Sequence, residues 1–510
     1  MFLALYLLLL AALALLAPAP VWDPGARSFV LIVGWIAVWR YGWGGVHLLR
    51  SLWYRAHVFP RWRRRILDLA AADPEVERAL LAPEVYIVVT SYRIPVPTTE
   101  AVLAAALVEA ERYRGGRVTI VTSIVEMADQ RLIKDLFRLA APPEHVRLIL
   151  VRGRGTGKRD GLATALRAVA RQAPAPGAVV LVMDGDTVLP PDCLARILPF
   201  FRLMPDLAAL TTDEDCVVPH GGPLLRAWHQ LRFTQRHLLM SSLGLSRRLI
   251  TLTGRMSAYR AEIATDPAFV ALIQHDRLDH WRHGPIPLLT GEDKSAAYWL
   301  LRQGRATLYV PDVTVLTIEQ PPAPDLLRAS TALMLRWFGN MLRASGRCLA
   351  LGPARVGWFV WWCLVDQRIS MWTPLIGPIT AILLAFAASP AFLYAYTLWV
   401  MLTRLVQSLL LLAVRPRFSG LYPPLLYFTQ LYGAFLKSWV LFRLDRQRWT
   451  RQNISWAPPL GPWRAGLRAL GSSYLHLLAL AALTTGVAFA TGVLTPPSTS
   501  TFAAAAAALR

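Results

Sequence analysis

Val179–Val188 reads Val-Val-Leu-Val-Met-Asp-Gly-Asp-Thr-Val. Its unbroken apolar run leaves no polar face, so a strand here must be covered on both sides, as in a parallel sheet between layers of helices. The run stops at Asp184-Gly185-Asp186, two carboxylates one residue apart at the strand's C-terminal edge. Open α/β sheets bind ligands at that edge, and two such carboxylates can reach one hard cation. Asp-Gly is equally at home in an ordinary turn, so the surrounding chain has to decide between the two.

The surroundings repeat the pattern. Val85–Thr90, Arg117–Ser123, Val146–Val151 and Val179–Met183 read as strands, with helices expected over Thr98–Arg114 and Gly161–Arg171. Ala208–Thr212, Leu249–Tyr259 and Thr307–Val310 are weaker strand signals. Strands alternating with helices at this spacing predict a mostly parallel sheet with helices on both faces.

The chain as a whole is too apolar for a soluble protein: 55% of its 510 residues are hydrophobic. Met1–Pro20 and Ser28–Trp43 are expected to form an N-terminal transmembrane hairpin turning at Asp23-Pro24-Gly25. Met371–Ala388, Ala391–Val414 and Ser472–Val493 are further spanning candidates. Leu421–Leu444 is long enough to span, but Arg415 and Arg417 before it and Arg443, Arg446, Arg448 and Arg451 after it favour an interfacial or re-entrant helix. Amphipathic interface helices are expected from Asp325 onward. The net charge of +22 sits largely beside these apolar runs, as in cytoplasmic loops of a membrane protein, and argues against a nucleic-acid partner. Cys193, Cys216, Cys348 and Cys363 show no CxxC spacing, so neither a zinc site nor a disulfide framework is expected.

Four segments carry candidate chemistry. Gly157-Lys158-Arg159-Asp160-Gly161 opens a helix, where backbone amides and two cations suit a diphosphate. Leu252-Thr-Gly-Arg-Met-Ser-Ala-Tyr-Arg260 has a glycine turn that lets backbone approach a sugar ring. Gly291-Glu-Asp-Lys-Ser295 places two carboxylates at a helix start, a position that capping alone also favours. Arg336-Trp337 lies on an amphipathic helix.

In this order the motifs resemble the processive family 2 membrane glycosyltransferases, which include the cellulose, chitin and hyaluronan synthases. The resemblance covers roughly Val85 to Arg343. Within the family, Glu-Asp-Lys-Ser, Val-Met-Asp-Gly-Asp-Thr and Arg-Trp-Phe-Gly-Asn-Met-Leu-Arg are most similar to the branch that builds polymannuronate (alginate) from GDP-mannuronate. Two departures stand out. Leu333 replaces the Gln of the family's Gln-x-x-Arg-Trp box, and Ser123-Ile-Val-Glu126 replaces its first acidic turn.

The resemblance implies a cytoplasmic GT-A-type α/β domain inserted between transmembrane helices. The expected layout is a hairpin at 1–48, a basic juxtamembrane linker at 49–84 and the transferase domain at 85–325. Interface helices at 326–370 and a helix pair at 371–414 follow, then an interfacial helix and gating-like loop at 415–467, a last span at 472–494 and a tail at 495–510. Asp186 with Asp184 would hold Mg²⁺ or Mn²⁺. Lys158, Arg159, Glu126 and Arg336 would bind the donor, and Asp293, supported by Glu292, would be the base. Trp337, Gly254 and Ser257 would meet the acceptor, Lys294 and Arg255 a uronate carboxylate, and Trp449, Thr450 and Arg451 would close over the donor.

The implied activity is inverting, processive transfer coupled to translocation across a bacterial inner membrane by a multi-pass protein. Implied partners are the nucleotide sugar, the growing polysaccharide, membrane lipid, a separate cyclic-di-GMP-binding co-polymerase subunit and periplasmic and outer-membrane export proteins. The alternatives are a UDP-sugar synthase of the hyaluronan, chitin or cellulose type, a single-addition lipid-linked transferase, and a non-catalytic export component.

Overall fold

The computed structural model describes residues 1–21, 27–449, 454–457 and 459–495. The chain forms two compact units, an α/β unit of His47–Gln367 with Leu444–Pro458, and an apolar unit of Met1–Val46, Arg368–Arg443 and Pro459–Arg510.

The α/β unit is built on strands β1 (Glu84–Thr90), β2 (Arg117–Ile124), β3 (Val146–Arg152), β4 (Val179–Asp184), β5 (Thr187–Val188), β6 (Leu207–Val217), β7 (Met256–Arg260), β8 (Arg277–His280), β9 (Gly284–Pro287) and β10 (Ala306–Ile318). Eight of them make one sheet in the order β3-β2-β1-β4-β7-β6-β10-β5, and β8 and β9 pair separately. β1 to β4 run parallel, as do β6 and β10. β7 runs antiparallel between β4 and β6, and β5 antiparallel to β10, so the expected mostly parallel sheet is mixed at its centre. The reversal has a consequence for chemistry. It brings the N-terminal end of β7 to the same edge as the C-terminal ends of β1, β4, β6 and β10.

The central strands are apolar because both faces are covered, and Val85, Ile87, Val88, Val180 and Leu181 are fully buried. Residues 49–84, expected as a linker, instead fold onto this unit. Tyr54 is buried and donates to the Tyr309 carbonyl at 2.5 Å. Helix Phe59–Ala72 places Arg63 in a two-pronged contact with Asp312 at 2.8 and 2.9 Å. A register shift in β10 between Val310 and Thr314 turns Asp312 out to receive it. The unit therefore begins at His47, well ahead of residue 85.

In the apolar unit, Phe2–Leu15 packs on Ala391–Leu410, with Tyr394 donating to the Leu13 carbonyl at 2.6 Å and Tyr6 to that of Met401 at 2.8 Å. Among the described residues, three helical stretches are long and apolar enough to cross a membrane: Trp358–Ala387, Ala391–Ala413 and Pro462–Ala490. Phe2–Leu15 has only 14 residues, about 21 Å of helix, short of a bilayer's ~30 Å core. The expected hairpin turn at 23–25 lies outside the described residues. Helix Tyr422–Leu441 is not among the three stretches. All four cysteines are buried and none of them forms a disulfide among the described residues.

Candidate active site

The carboxyl edge of the sheet opens into a cavity of ≈ 870 Å³. β4 delivers Asp184 and, across Gly185, Asp186. Gly185 donates its N–H to the Thr90 carbonyl at 2.9 Å, and a Cβ there would sit 2.9 Å from that same oxygen. Glycine is therefore what lets this turn lie against the end of β1. β7 arrives from the opposite direction with Thr253-Gly254-Arg255 ahead of its first residue.

Gly291, at φ +88°, starts helix Glu292–Arg302 and points Glu292, Asp293 and Lys294 at the same space. Helix Leu326–Ala350, capped by Asp325, closes one wall with Leu333, Arg336, Trp337, Asn340 and Ala344, one stripe at helical spacing. The segment after Leu444 adds Arg448.

The ionic pattern is dense. Lys158 Nζ lies 2.6 Å from Asp184 Oδ1 and also contacts Glu292. Gly254 covers this trio; a Cβ on it would be 3.0 Å from Lys158 Nζ. Burial pushes the Asp184 carboxyl up to about 6, with Asp186 and Glu292 adding to the rise and Lys158 opposing it. Lys158 is held above its ordinary value: burial lowers it, but Asp184 and Glu292 more than offset that. Asp293 is held below the usual carboxylate range: burial raises it, and Lys294 at 3.0 Å and the Thr251 hydroxyl at 3.1 Å outweigh that.

A second cluster lies beside it. Arg255 bridges Glu214 at 3.3 Å and Glu319, and Arg236 reaches Glu214 at 3.1 Å. Burial alone would raise Glu319, but Arg255 brings it down to about 2.

Among the described residues no three His, Cys, Asp or Glu side chains gather to enclose a metal. The donor set at Asp184 and Asp186 still fits a divalent cation. Mg²⁺ and Mn²⁺ are typically held by one or two carboxylates and complete their shells with substrate phosphate and water. Asp186 is buried, and both it and Glu292 bring further negative charge beside Asp184.

The fold gathers Asp184, Asp186, Lys158, Gly254, Glu292, Asp293, Arg336 and Trp337 around one cavity. Several other expectations need correction. Arg159 does not face the cavity. It is 4% exposed and donates to the Ile273 and Thr290 carbonyls and to Ser295, tying two helices together. Ser257 is 1% exposed inside the sheet and donates to the Thr253 carbonyl at 2.7 Å. Glu126 sits outside the cavity wall, 3.5 Å from Arg93. Lys294 and Arg255, expected to meet a substrate carboxylate, are committed to carboxylates of the protein itself. Thr450 and Arg451 lie outside the described residues; Trp449 ends a short strand, Gln447–Trp449.

Sequence reasoning also passed over helix Pro223–Gly244, which lines the cavity with His229, Arg232, Phe233 and Arg236. The i, i+3, i+4, i+7 spacing of these four was the available signal.

A family described as "Glycosyltransferase like family 2" matches residues 83–340. The chain belongs to this family and is a glycosyltransferase with a GT-A-like fold, set in a membrane protein. Two curated relatives, both named Glycosyltransferase alg8, come from Pseudomonas syringae pv. tomato and Azotobacter vinelandii. Each is 44% identical over 88% of this chain and 89% of its own length. Among solved structures, the mannosyltransferase PcManGT from Pyrobaculum calidifontis, in complex with GDP-Man and Mn²⁺, aligns over 80% of this chain and 98% of its own. It does so at 18% identity and a TM-score of 0.44.

Proposed function

We propose that the chain is an inverting, processive polymerase that transfers mannuronate from GDP-mannuronate to a growing β-1,4-polymannuronate. The observation that carries the reading is one cavity holding a carboxylate pair, a further carboxylate at a helix start and an indole wall: Asp184 and Asp186, Asp293, and Trp337. The resemblance of Glu292-Asp293-Lys294-Ser295 and Arg336-Trp337 to the mannuronate branch supports the choice of sugar. So do the two relatives named Glycosyltransferase alg8.

An acceptor hydroxyl oxygen attacks the anomeric carbon as the bond from that carbon to the diphosphate oxygen breaks. The hydroxyl proton goes to Asp293, which its lowered pKa keeps ionised and which Lys294 and the Thr251 hydroxyl hold in place. GDP leaves with the bonding electron pair. Attack from the face opposite the leaving group turns an α-linked donor into a β-linked product. A divalent cation held by Asp184 and Asp186, Mg²⁺ or Mn²⁺, would supply neutralisation of charge on the departing diphosphate. Lys158, Arg336 and Arg448 add positive charge to the same wall. Trp337 offers an apolar face to the C–H surface of the acceptor sugar.

Residence in an inner membrane, a cytoplasmic transferase domain and export of the polymer belong to the same reading. The basic residues flanking the apolar helices support that orientation. A separate cyclic-di-GMP-binding subunit and envelope export proteins complete it.

The test is donor-specific synthesis in membranes carrying the chain. GDP-mannuronate is expected to yield acidic polymer and GDP with Mg²⁺ or Mn²⁺ present. Asp186→Ala and Asp293→Asn are expected to abolish polymer at unchanged membrane abundance. Incorporation of UDP-glucose or UDP-N-acetylglucosamine in its place would overturn the choice of donor.

A further inference from the structure

A mannuronate ring held against Trp337 brings a carboxylate into a partly dry cavity, where it needs a cation that is not already neutralised. Most cations in the wall are spoken for. Lys158 is shared by Asp184 and Glu292, Lys294 is on Asp293, and Arg255 and Arg236 share Glu214. Arg232 differs. Its guanidinium carbon stands 4.3 Å from the centroid of Trp337 and 5.2 Å from that of Trp228, and those two indoles stack at 5.9 Å. Among the described residues it forms no ion pair with a carboxylate and no hydrogen bond.

From these contacts we propose that Arg232 is the specificity-determining residue that receives the carboxylate of a mannuronate unit lying on Trp337. The inference rests on the mannuronate reading above and deepens it.

Stacking on indole faces holds the guanidinium plane while leaving its N–H edges for a two-pronged contact with a carboxylate. The local electrostatics create a demand for an anion. Burial, then the nearby Arg255 and Arg236, bring Arg232 down to about 10. A substrate carboxylate supplies the missing negative charge, and a neutral hexose does not. A lysine could carry the charge but neither the planar stacking nor the paired N–H geometry.

The experiment uses the full chain in lipid nanodiscs and measures equilibrium binding of three probes. They are a β-1,4-mannuronate hexasaccharide, its carboxyl-reduced mannan counterpart, and GDP. Wild type is expected to prefer the acidic oligosaccharide. Arg232→Gln is expected to weaken that ligand about 10- to 100-fold while moving the neutral one and GDP less than about 3-fold. Arg232→Lys is expected to fall between. Equal losses for the acidic and neutral oligosaccharides would show that Arg232 only props up Trp337, and the proposal would fall with the mannuronate reading intact. A wild type with no preference for the acidic oligosaccharide would remove both.

Discussion

The Lys158 ammonium lies 2.6 Å from Asp184 and also touches Glu292, so one cation joins the strand that carries the carboxylate pair to the helix that carries Asp293. The donor half and the base half of the site are held in register by this bridge, although their residues are far apart in sequence.

Lys158→Met should therefore lose polymer synthesis by at least about 100-fold and lower the thermal midpoint. Breaking one side of a buried ion pair costs about 3 kcal/mol or more. Lys158→Arg should not restore the rate, because a planar guanidinium does not reproduce the compact ammonium shared by Asp184 and Glu292. Initial rates of GDP release and a thermal melt decide it; near-normal turnover in Lys158→Met would refute the bridging role.

Gly185→Ala should damage both stability and activity. Its new Cβ would meet the Thr90 carbonyl at 2.9 Å and Ser91 at 3.1 Å, and backbone cannot swing aside as a flexible side chain can. A loss of about 1–3 kcal/mol is expected, with Asp184 and Asp186 displaced. Gly177→Ala, at φ +83° and with 3.8 Å to its nearest neighbour, should lower the thermal midpoint but leave the rate per folded molecule unchanged.

Arg343→Ala should raise the donor KM about 10-fold with a smaller change in kcat. Arg343 is 3% exposed and donates to the Leu444 carbonyl at 3.0 Å and the Arg446 carbonyl at 3.2 Å, which anchors the segment carrying Arg448 into the cavity. Gln447 adds a second anchor, donating to the Pro287 carbonyl and accepting from Leu289 N–H. Steady-state kinetics with varied donor separate the two parameters. A drop confined to kcat would argue against a role in holding the donor.

His229 gives the chain a pH-dependent stability. Its side chain is 1% exposed with Nε2 unpartnered, and burial lowers its pKa to about 4, against about 6.5 when unfolded. Between those values the unfolded chain binds a proton that the folded chain refuses. Stability should thus fall as pH drops from 6.5 towards 4, by at most about 3 kcal/mol from this residue. His229→Phe should flatten the thermal midpoint across that window. An unchanged slope would locate the acid sensitivity elsewhere.

Much of the fold could be read from local signals. β4 and the Asp-Gly-Asp turn were legible because a strand without a polar face has few other places to go. Helix Glu292–Arg302 was legible from its glycine and paired acids, and the three stretches long and apolar enough to cross a membrane from length and apolarity alone. The reversed β7 was not, because a strand's direction is set by its neighbours and leaves no mark in its own pattern. The folded helices within 49–84 were hidden for a related reason: their arginines read as membrane-facing charge, and Asp312, raised by a bulge in β10, together with the Arg196 carbonyl turns Arg63 inward.

The sequence by itself determined which residue types stand at the ends of strands and at the starts of helices. Backbone preference and burial of apolar faces act over a few residues, so these placements are local. Only the tertiary structure decided which charges remain for a substrate. Glu214 and Glu319, 41 and 64 residues from Arg255, occupy that arginine, and Ser295, 136 residues from Arg159, holds the other inside the core. Neutralising a charge depends on distance in space. Arg232, on a helix the motifs did not single out, is left against Trp337 with no carboxylate of its own among the described residues.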